Sequence, residues 1–129
     1  MDMYREFILD HYKNPRNYGG CAHPTIVHDD GNPLCGDELH LELEIADNTL
    51  KDIKFKGHGC AISMAAMSIL SEMVAGKPLD EVKKVNKDDM LKALYIPIGP
   101  ARIKCALLGL KALKSAAYGI TAWPDEEPE

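Results

Sequence analysis

The chain has 129 residues, Lys+Arg 15 against Asp+Glu 20, a formal net charge of −5 and 46% apolar residues, the balance of an ordinary globular domain. That length supports a core without disulfide or metal staples, and the acidic balance excludes a dedicated nucleic-acid binder, which needs a basic face. No stretch approaches the roughly 18 apolar residues of a membrane span, no polybasic run suits a membrane surface, and the first ten residues lack the basic and apolar regions of a signal peptide. No nucleic-acid or membrane partner is therefore expected, and the cytoplasm is the expected address.

Tyr4 to Tyr12 hold Phe7 and Ile8 at helical spacing, and Asn14-Pro15 ends the pattern because a residue before proline avoids the helical region. A loop with Cys21 and His23 follows to Pro24. Thr25 to His28 is a β-branched run that reads as a short strand, and Asp29 to Pro33 are turn formers that read as a loop. Leu39, Leu41, Leu43 and Ile45 then alternate with His40, Glu42 and Glu44, the period-2 pattern of a strand with one wet face. Ala46 to Thr49 turn the chain into a third strand carrying Ile53 and Phe55, so the pair forms an antiparallel hairpin.

Gly57-His58-Gly59 makes a corner into a helix over Ala61 to Ala75, with Ile62, Ala66, Ile69, Leu70 and Met73 on one face and Gly76 stopping it. Pro78 to Lys84 and Asp88 to Leu94 read as short helices, the second capped by Asn86. Pro100 starts a last helix that carries Ile103, Leu107, Leu110 and Leu113 to Tyr118 and ends at Gly119. The order predicts an α+β fold, a small three-stranded antiparallel sheet with helices packed on one face. Residues 1–122 form the expected domain. Residues 123–129 hold four of the acids and are expected to be a disordered tail.

In a reducing compartment Cys21, Cys35, Cys60 and Cys105 are expected as thiols, metal ligands or reactive groups rather than disulfides. Cys35 stands beside Gly36 and Asp37, so a flexible residue can turn a thiol and a carboxylate to one point. Cys60 sits at a helix start, where backbone amides and the positive dipole end favour the thiolate. Cys105 follows Arg102 and Lys104, whose charges can lower a thiol pKa. Taken alone, Cys35 also reads as a loop cysteine beside a solvated aspartate, and Cys60 and Cys105 as packing residues. Spacings of 25 and 45 residues match no pair of zinc-finger hooks, so three separate elements must bring the thiols together. His40 and His58 read as solvated, Cys21 as a spare thiol, and Met64, Met67 and Met73 as core or partner surface.

Five motifs in order make the chain resemble the IscU/SufU family of iron–sulfur cluster assembly scaffolds, which includes the N-terminal domain of NifU. They are Tyr4 with Asp10-His11-Tyr12-Lys13-Asn14-Pro15-Arg16-Asn17, then Cys35-Gly36-Asp37, Gly57 through Ser63, Gly76-Lys77, and Arg102-Ile103-Lys104-Cys105. The resemblance implies that Cys35, Asp37, Cys60 and Cys105 converge and hold a nascent [2Fe–2S] cluster or, in some members, zinc. Three thiolates and a carboxylate suit both, each iron of a two-iron cluster needing two protein ligands. It further implies a cysteine desulfurase as sulfur donor, Cys105 as persulfide acceptor, and recipient apo iron–sulfur proteins. A homodimer around one cluster is left open. The role implied is that of a scaffold or carrier rather than an enzyme, with zinc-dependent sulfur acceptance of the SufU kind as the alternative and a purely structural zinc domain as the third reading.

Three features depart from the family's branches. IscU proper has histidine before its third cysteine, whereas Lys104 stands here as in SufU, and an ammonium has no lone pair for iron, which favours Asp37 as fourth ligand over His58. SufU proteins carry an insertion between the second and third cysteines that the 45-residue spacing does not hold. Ile96 to Ala101 does not reproduce the Leu-Pro-Pro-Val-Lys segment through which IscU meets an Hsp70 chaperone, so that partner is not implied.

Overall fold

The computed structural model describes residues 3–33 and 36–126. The chain runs α1 (Met3–Lys13), β1 (Ile26–Asn32), β2 (Asp37–Ala46), β3 (Thr49–His58), α2 (Ala61–Val74), α3 (Leu79–Lys83), α4 (Lys87–Ala93), a single 3-10 turn (Pro100–Arg102) and α5 (Ile103–Tyr118). The strands form one antiparallel sheet in the order β1-β2-β3. Asp47 and Asn48, both at positive φ (54° and 57°), make the two-residue turn between β2 and β3, the backbone that matches strand twist.

Leu39, Leu41 and Leu43 of β2 meet Leu50, Ile53 and Phe55 of β3 on one buried face, where α2 and α5 pack. Asp37 is in phase with those leucines, so the period that buries the apolar stripe also turns this carboxylate inward at its end. Helix α2 lies between α1, α5 and the sheet and buries Ser63, Ser68 and Ser71 along with its apolar residues. At Gly109 of α5 an added Cβ would stand 2.9 Å from Met67 Sδ, so the two central helices approach as closely as glycine permits.

The Asp10 to Asn17 motif fastens the α1 exit to α2. His11 Nδ1 lies 2.7 Å from Ser68 Oγ, the Arg16 backbone amide donates to the same oxygen at 2.8 Å, and the Asn17 side-chain Nδ2 donates to Ser71 Oγ at 2.9 Å. Arg16 also pairs with Asp10 at 2.6 Å. Burial, with the nearby Arg16 charge, drives the His11 imidazole below its ordinary pKa.

Two boundaries differ from the sequence reading by three residues or more. Strand β1 does not stop at His28 but continues through the supposed turn, with Asp30 paired to Leu39 and Asn32 to Asp37. Lys111 of α5 grips both Asp30 oxygens, at 2.9 and 3.0 Å, and holds those turn formers extended. The last α-helix begins at Ile103 rather than Pro100, because Pro100 to Arg102 wind as a tight 3-10 turn. Cys105 thus lies in the first turn of α5, not in the second turn that a start at Pro100 implies. Of the expected tail, residues 123–126 fold back as a turn against Lys104.

Candidate metal and thiol site

The site is built at one end of the sheet, where the start of β2, the N-terminus of α2 and the N-terminus of α5 meet. One ligand atom from each of Asp37, Cys60 and Cys105 lies within 4.8 Å of the others. Among the described residues this is the one group of three or more histidine, cysteine or acidic side chains so disposed. Cys35, expected as the fourth member, lies outside the described residues.

Cys60 is the N-cap of α2. Its backbone is extended (φ −70°, ψ 164°), and its Sγ accepts from the Ser63 amide at 3.4 Å. A thiol that caps a helix faces unpaired amides and the positive dipole end, which stabilise negative charge. The Cys60 amide in turn donates to Asp37 Oδ1 at 3.0 Å. Asp37 Oδ2 takes the Ser63 hydroxyl and stands 3.7 Å from Cys60 Sγ. Asp37 is 3% exposed, so these donors meet its carboxylate where bulk water does not reach.

The glycine corner makes this approach possible. A Cβ on Gly59 would fall 2.6 Å from Asp37 Oδ1, and one on Gly57 would fall 2.3 Å from the Glu38 carbonyl oxygen. Gly59 must therefore lack a side chain for the carboxylate to reach the cap, and Gly57 must lack one for β3 to lie against the β2 backbone at Glu38.

Cys105 is buried in the first turn of α5. The guanidinium of Arg102 is hydrogen-bonded to Cys105 and faces Cys60, and these contacts raise the Arg102 pKa further above its usual value. Lys104, which the sequence offered as a second cation beside Cys105, is turned elsewhere. Its ammonium meets Glu126 Oε1 at 2.9 Å and Asp125 Oδ1 at 3.5 Å, and stands 4.5 Å from the centre of the Trp123 ring. Neighbours at i and i+2 leave a helix in different directions, which adjacency in sequence hides.

His58 belongs to the outer face of the sheet. It pairs across from Glu38, its Nε2 3.6 Å from that carboxylate, and its side chain is 76% exposed. His40 is likewise outside, bound between Asp29 at 2.7 Å and Glu42 at 2.9 Å. Cys21 lies over that outer face, its thiol donating to the Glu42 carbonyl at 3.4 Å. Burial, with the nearby Asp52 and Glu42 charges, pushes the Cys21 thiol up to about 11, so it remains protonated. Ser63 and the separate role of Arg102 escaped the sequence reading. The helix phase that sets Ser63 three residues after the cap was the available signal for the first.

Residues 3–124 match the family model described as NifU-like N terminal domain. The chain is 39% identical to the zinc-dependent sulfurtransferase SufU of Bacillus subtilis over 129 aligned residues, covering 87% of each chain. It is 35% identical to the iron–sulfur cluster assembly scaffold protein IscU of Escherichia coli, covering 88% of this chain and 90% of that one. Its fold superposes with a TM-score of 0.74 on a Fervidobacterium islandicum AW-1 protein described as an iron–sulfur cluster assembly scaffold of the SUF system. That match has 31% identity and covers 86% and 93% of the two chains. The chain belongs to the NifU-like N-terminal domain family, the family of the IscU and SufU proteins.

Proposed function

We propose that this protein is a scaffold for iron–sulfur cluster assembly, which receives iron and sulfur, holds a transient [2Fe–2S] cluster and passes it to recipient apoproteins. The observation that carries this reading is the convergence of Asp37, Cys60 and Cys105 from three elements far apart in sequence, all within 4.8 Å. Cys35 completes the ligand set, giving two protein ligands to each of two irons.

The donor set suits a cargo that must leave. Thiolates bind iron well, while a carboxylate is a harder and less committed ligand. Asp37 is already held by the Cys60 amide and the Ser63 hydroxyl, so it has somewhere to return when the cargo departs. Replacing Asp37 with Ala leaves three thiolates and removes that return path, and the bound cluster should persist longer. Faster loss of the cluster's visible absorption in Asp37→Ala on dilution into a chelator would count against this assignment.

Sulfur delivery by a cysteine desulfurase uses Cys105. Its thiolate attacks the outer sulfur of the desulfurase persulfide, the S–S bond breaks, and the desulfurase cysteine leaves as thiolate. Each sulfane sulfur then needs two electrons from an external reductant to become sulfide. Arg102, hydrogen-bonded to Cys105 and facing Cys60, favours both the attacking thiolate and the persulfide anion. Mass spectrometry after incubation with desulfurase and cysteine tests the step: persulfide arising first on Cys35 or Cys60 removes Cys105 from this role.

The identity to the zinc-dependent sulfurtransferase SufU favours a second reading. In it the same residues hold zinc, and one thiol leaves the metal to accept persulfide. Anaerobic incubation with ferrous iron, desulfurase and cysteine separates the two, since the sulfurtransferase form gains persulfide and no cluster.

A further inference from the structure

The Ser63 hydroxyl stands between two of the candidate ligands. It is buried at the third position of α2, donates to Asp37 Oδ2, and lies 3.5 Å from Cys60 Sγ. Its own amide donates to that sulfur at 3.4 Å. Asp37 Oδ1 is occupied by the Cys60 amide, so Oδ2 is the oxygen that faces the thiol, 3.7 Å away. A metal taking Asp37 from the side of the thiols therefore meets the oxygen that Ser63 already holds.

We propose that Ser63 is a positioning residue that keeps Asp37 a weak, releasable ligand by competing with the metal for Oδ2. A donor on a carboxylate oxygen withdraws charge from the lone pairs that a metal would use, and a charge-assisted hydrogen bond is among the stronger ones in a protein. A buried hydroxyl also needs a partner in every state. Rotation about its Cβ–Oγ bond lets Ser63 give its proton to Asp37 when the carboxylate is free, and to the Cys60 sulfur when the metal has drawn Oδ2 away. Each ligand exchange is thereby matched by a move of one hydroxyl proton, with no buried group left orphaned. This inference rests on Asp37 being a ligand, as the functional reading has it.

The experiment measures zinc affinity by competition with a chromophoric chelator, and the intensity of the cobalt(II) ligand-field bands, for the full chain and for Ser63→Ala, Ser63→Thr, Asp37→Ala and the Ser63→Ala/Asp37→Ala double variant. Ser63→Ala should bind zinc about tenfold more tightly, equivalent to about 1.4 kcal/mol, and release it more slowly. Ser63→Thr, which retains the hydroxyl, should behave as the parent. In the Asp37→Ala background the tightening by Ser63→Ala should be lost, which a general structural effect would not do. Circular dichroism of the metal-free proteins checks that helix α2 is intact, and Ser63→Gly, which removes the same hydroxyl, is read in place of Ser63→Ala if it is not.

Weaker zinc binding in Ser63→Ala would make the hydroxyl an ordinary orienting group and overturn the proposal, as would an equal effect with Asp37 absent. If Asp37→Ala alone leaves zinc affinity and the cobalt spectrum unchanged, the ligand set has failed and the Ser63 inference falls with it. If Asp37→Ala changes both and Ser63→Ala changes neither, only the Ser63 inference falls.

Discussion

Gly59→Ala tests whether the glycine corner exists to admit Asp37. The new Cβ would stand 2.6 Å from Asp37 Oδ1, 2.7 Å from its Cγ and 3.0 Å from its Cβ, against 3.4 Å for ordinary contact. Asp37 is short and buried, so it can yield only by withdrawing its carboxylate from the cap, which stretches the 3.0 Å bond from the Cys60 amide. A hydrogen bond to a charged group is worth about 1.5–3 kcal/mol. Loss of about 2 kcal/mol lowers the midpoint of a domain this size by about 6–10 °C. The assay is thermal unfolding of the metal-free protein, with Gly99→Ala as the control. Gly99 has no neighbour within 4 Å of an added Cβ and a negative φ, so that variant should unfold within about 0.5 kcal/mol of the parent. In an Asp37→Ala background the cost of Gly59→Ala should fall by at least half, because the clashing carboxylate is gone. An unchanged midpoint in Gly59→Ala, or the same loss without Asp37, would refute the reasoning.

Arg102→Gln should slow alkylation of Cys105 by iodoacetamide at neutral pH by roughly three- to tenfold, with Cys21 unaffected, as read by site-resolved mass spectrometry. Lys104→Ala should leave those rates unchanged yet shift the fluorescence of Trp123, whose ring its ammonium covers. A loss of thiol reactivity in Lys104→Ala comparable to that in Arg102→Gln would contradict the separation of the two cations. His11 has a folded pKa held below the unfolded value of 6.5, so below that pH the unfolded chain binds a proton that the fold refuses. Its contribution is complete above about pH 6.5 and is lost as the pH falls through the depressed value. His40 acts oppositely: hydrogen bonds to Glu42 and Asp29 raise its pKa, so its contribution is complete below 6.5 and is lost as the pH rises through the raised value. Denaturant unfolding between pH 5.5 and 7.5 should therefore show a flatter acid-side fall in His11→Gln and a steeper one in His40→Gln.

The strongest periodic signals were legible in the chain itself. The alternation from Leu39 to Ile45 is the β2 strand, Asp47-Asn48 is the turn, and the glycine after Tyr118 caps α5 at φ 69°. Cys60 could be placed at a helix start because Gly57-His58-Gly59 breaks the strand just before it. The continuation of β1 through Asp29 to Asn32 was not legible, since it depends on Lys111, some 80 positions away in the sequence. Nor was the division of labour between Arg102 and Lys104, which follows from a 3-10 turn and from the return of residues 123–126. Local sequence reads Cys35 also as a loop cysteine, and Cys60 and Cys105 also as packing residues. Resemblance across five motifs supplied the ligand set, of which the geometry brings Asp37, Cys60 and Cys105 together while Cys35 lies outside the described residues.

The most direct test of the scaffold assignment is anaerobic reconstitution with ferrous iron, cysteine and a cysteine desulfurase, followed by Mössbauer spectroscopy with iron and sulfide counts. The account predicts two irons and two sulfides per site, transferable to an apo-ferredoxin, lost in Cys35→Ser, Cys60→Ser and Cys105→Ser, and retained longer in Asp37→Ala. A protein that keeps one tightly held zinc, accumulates persulfide and builds no cluster would contradict it and establish the sulfurtransferase reading instead.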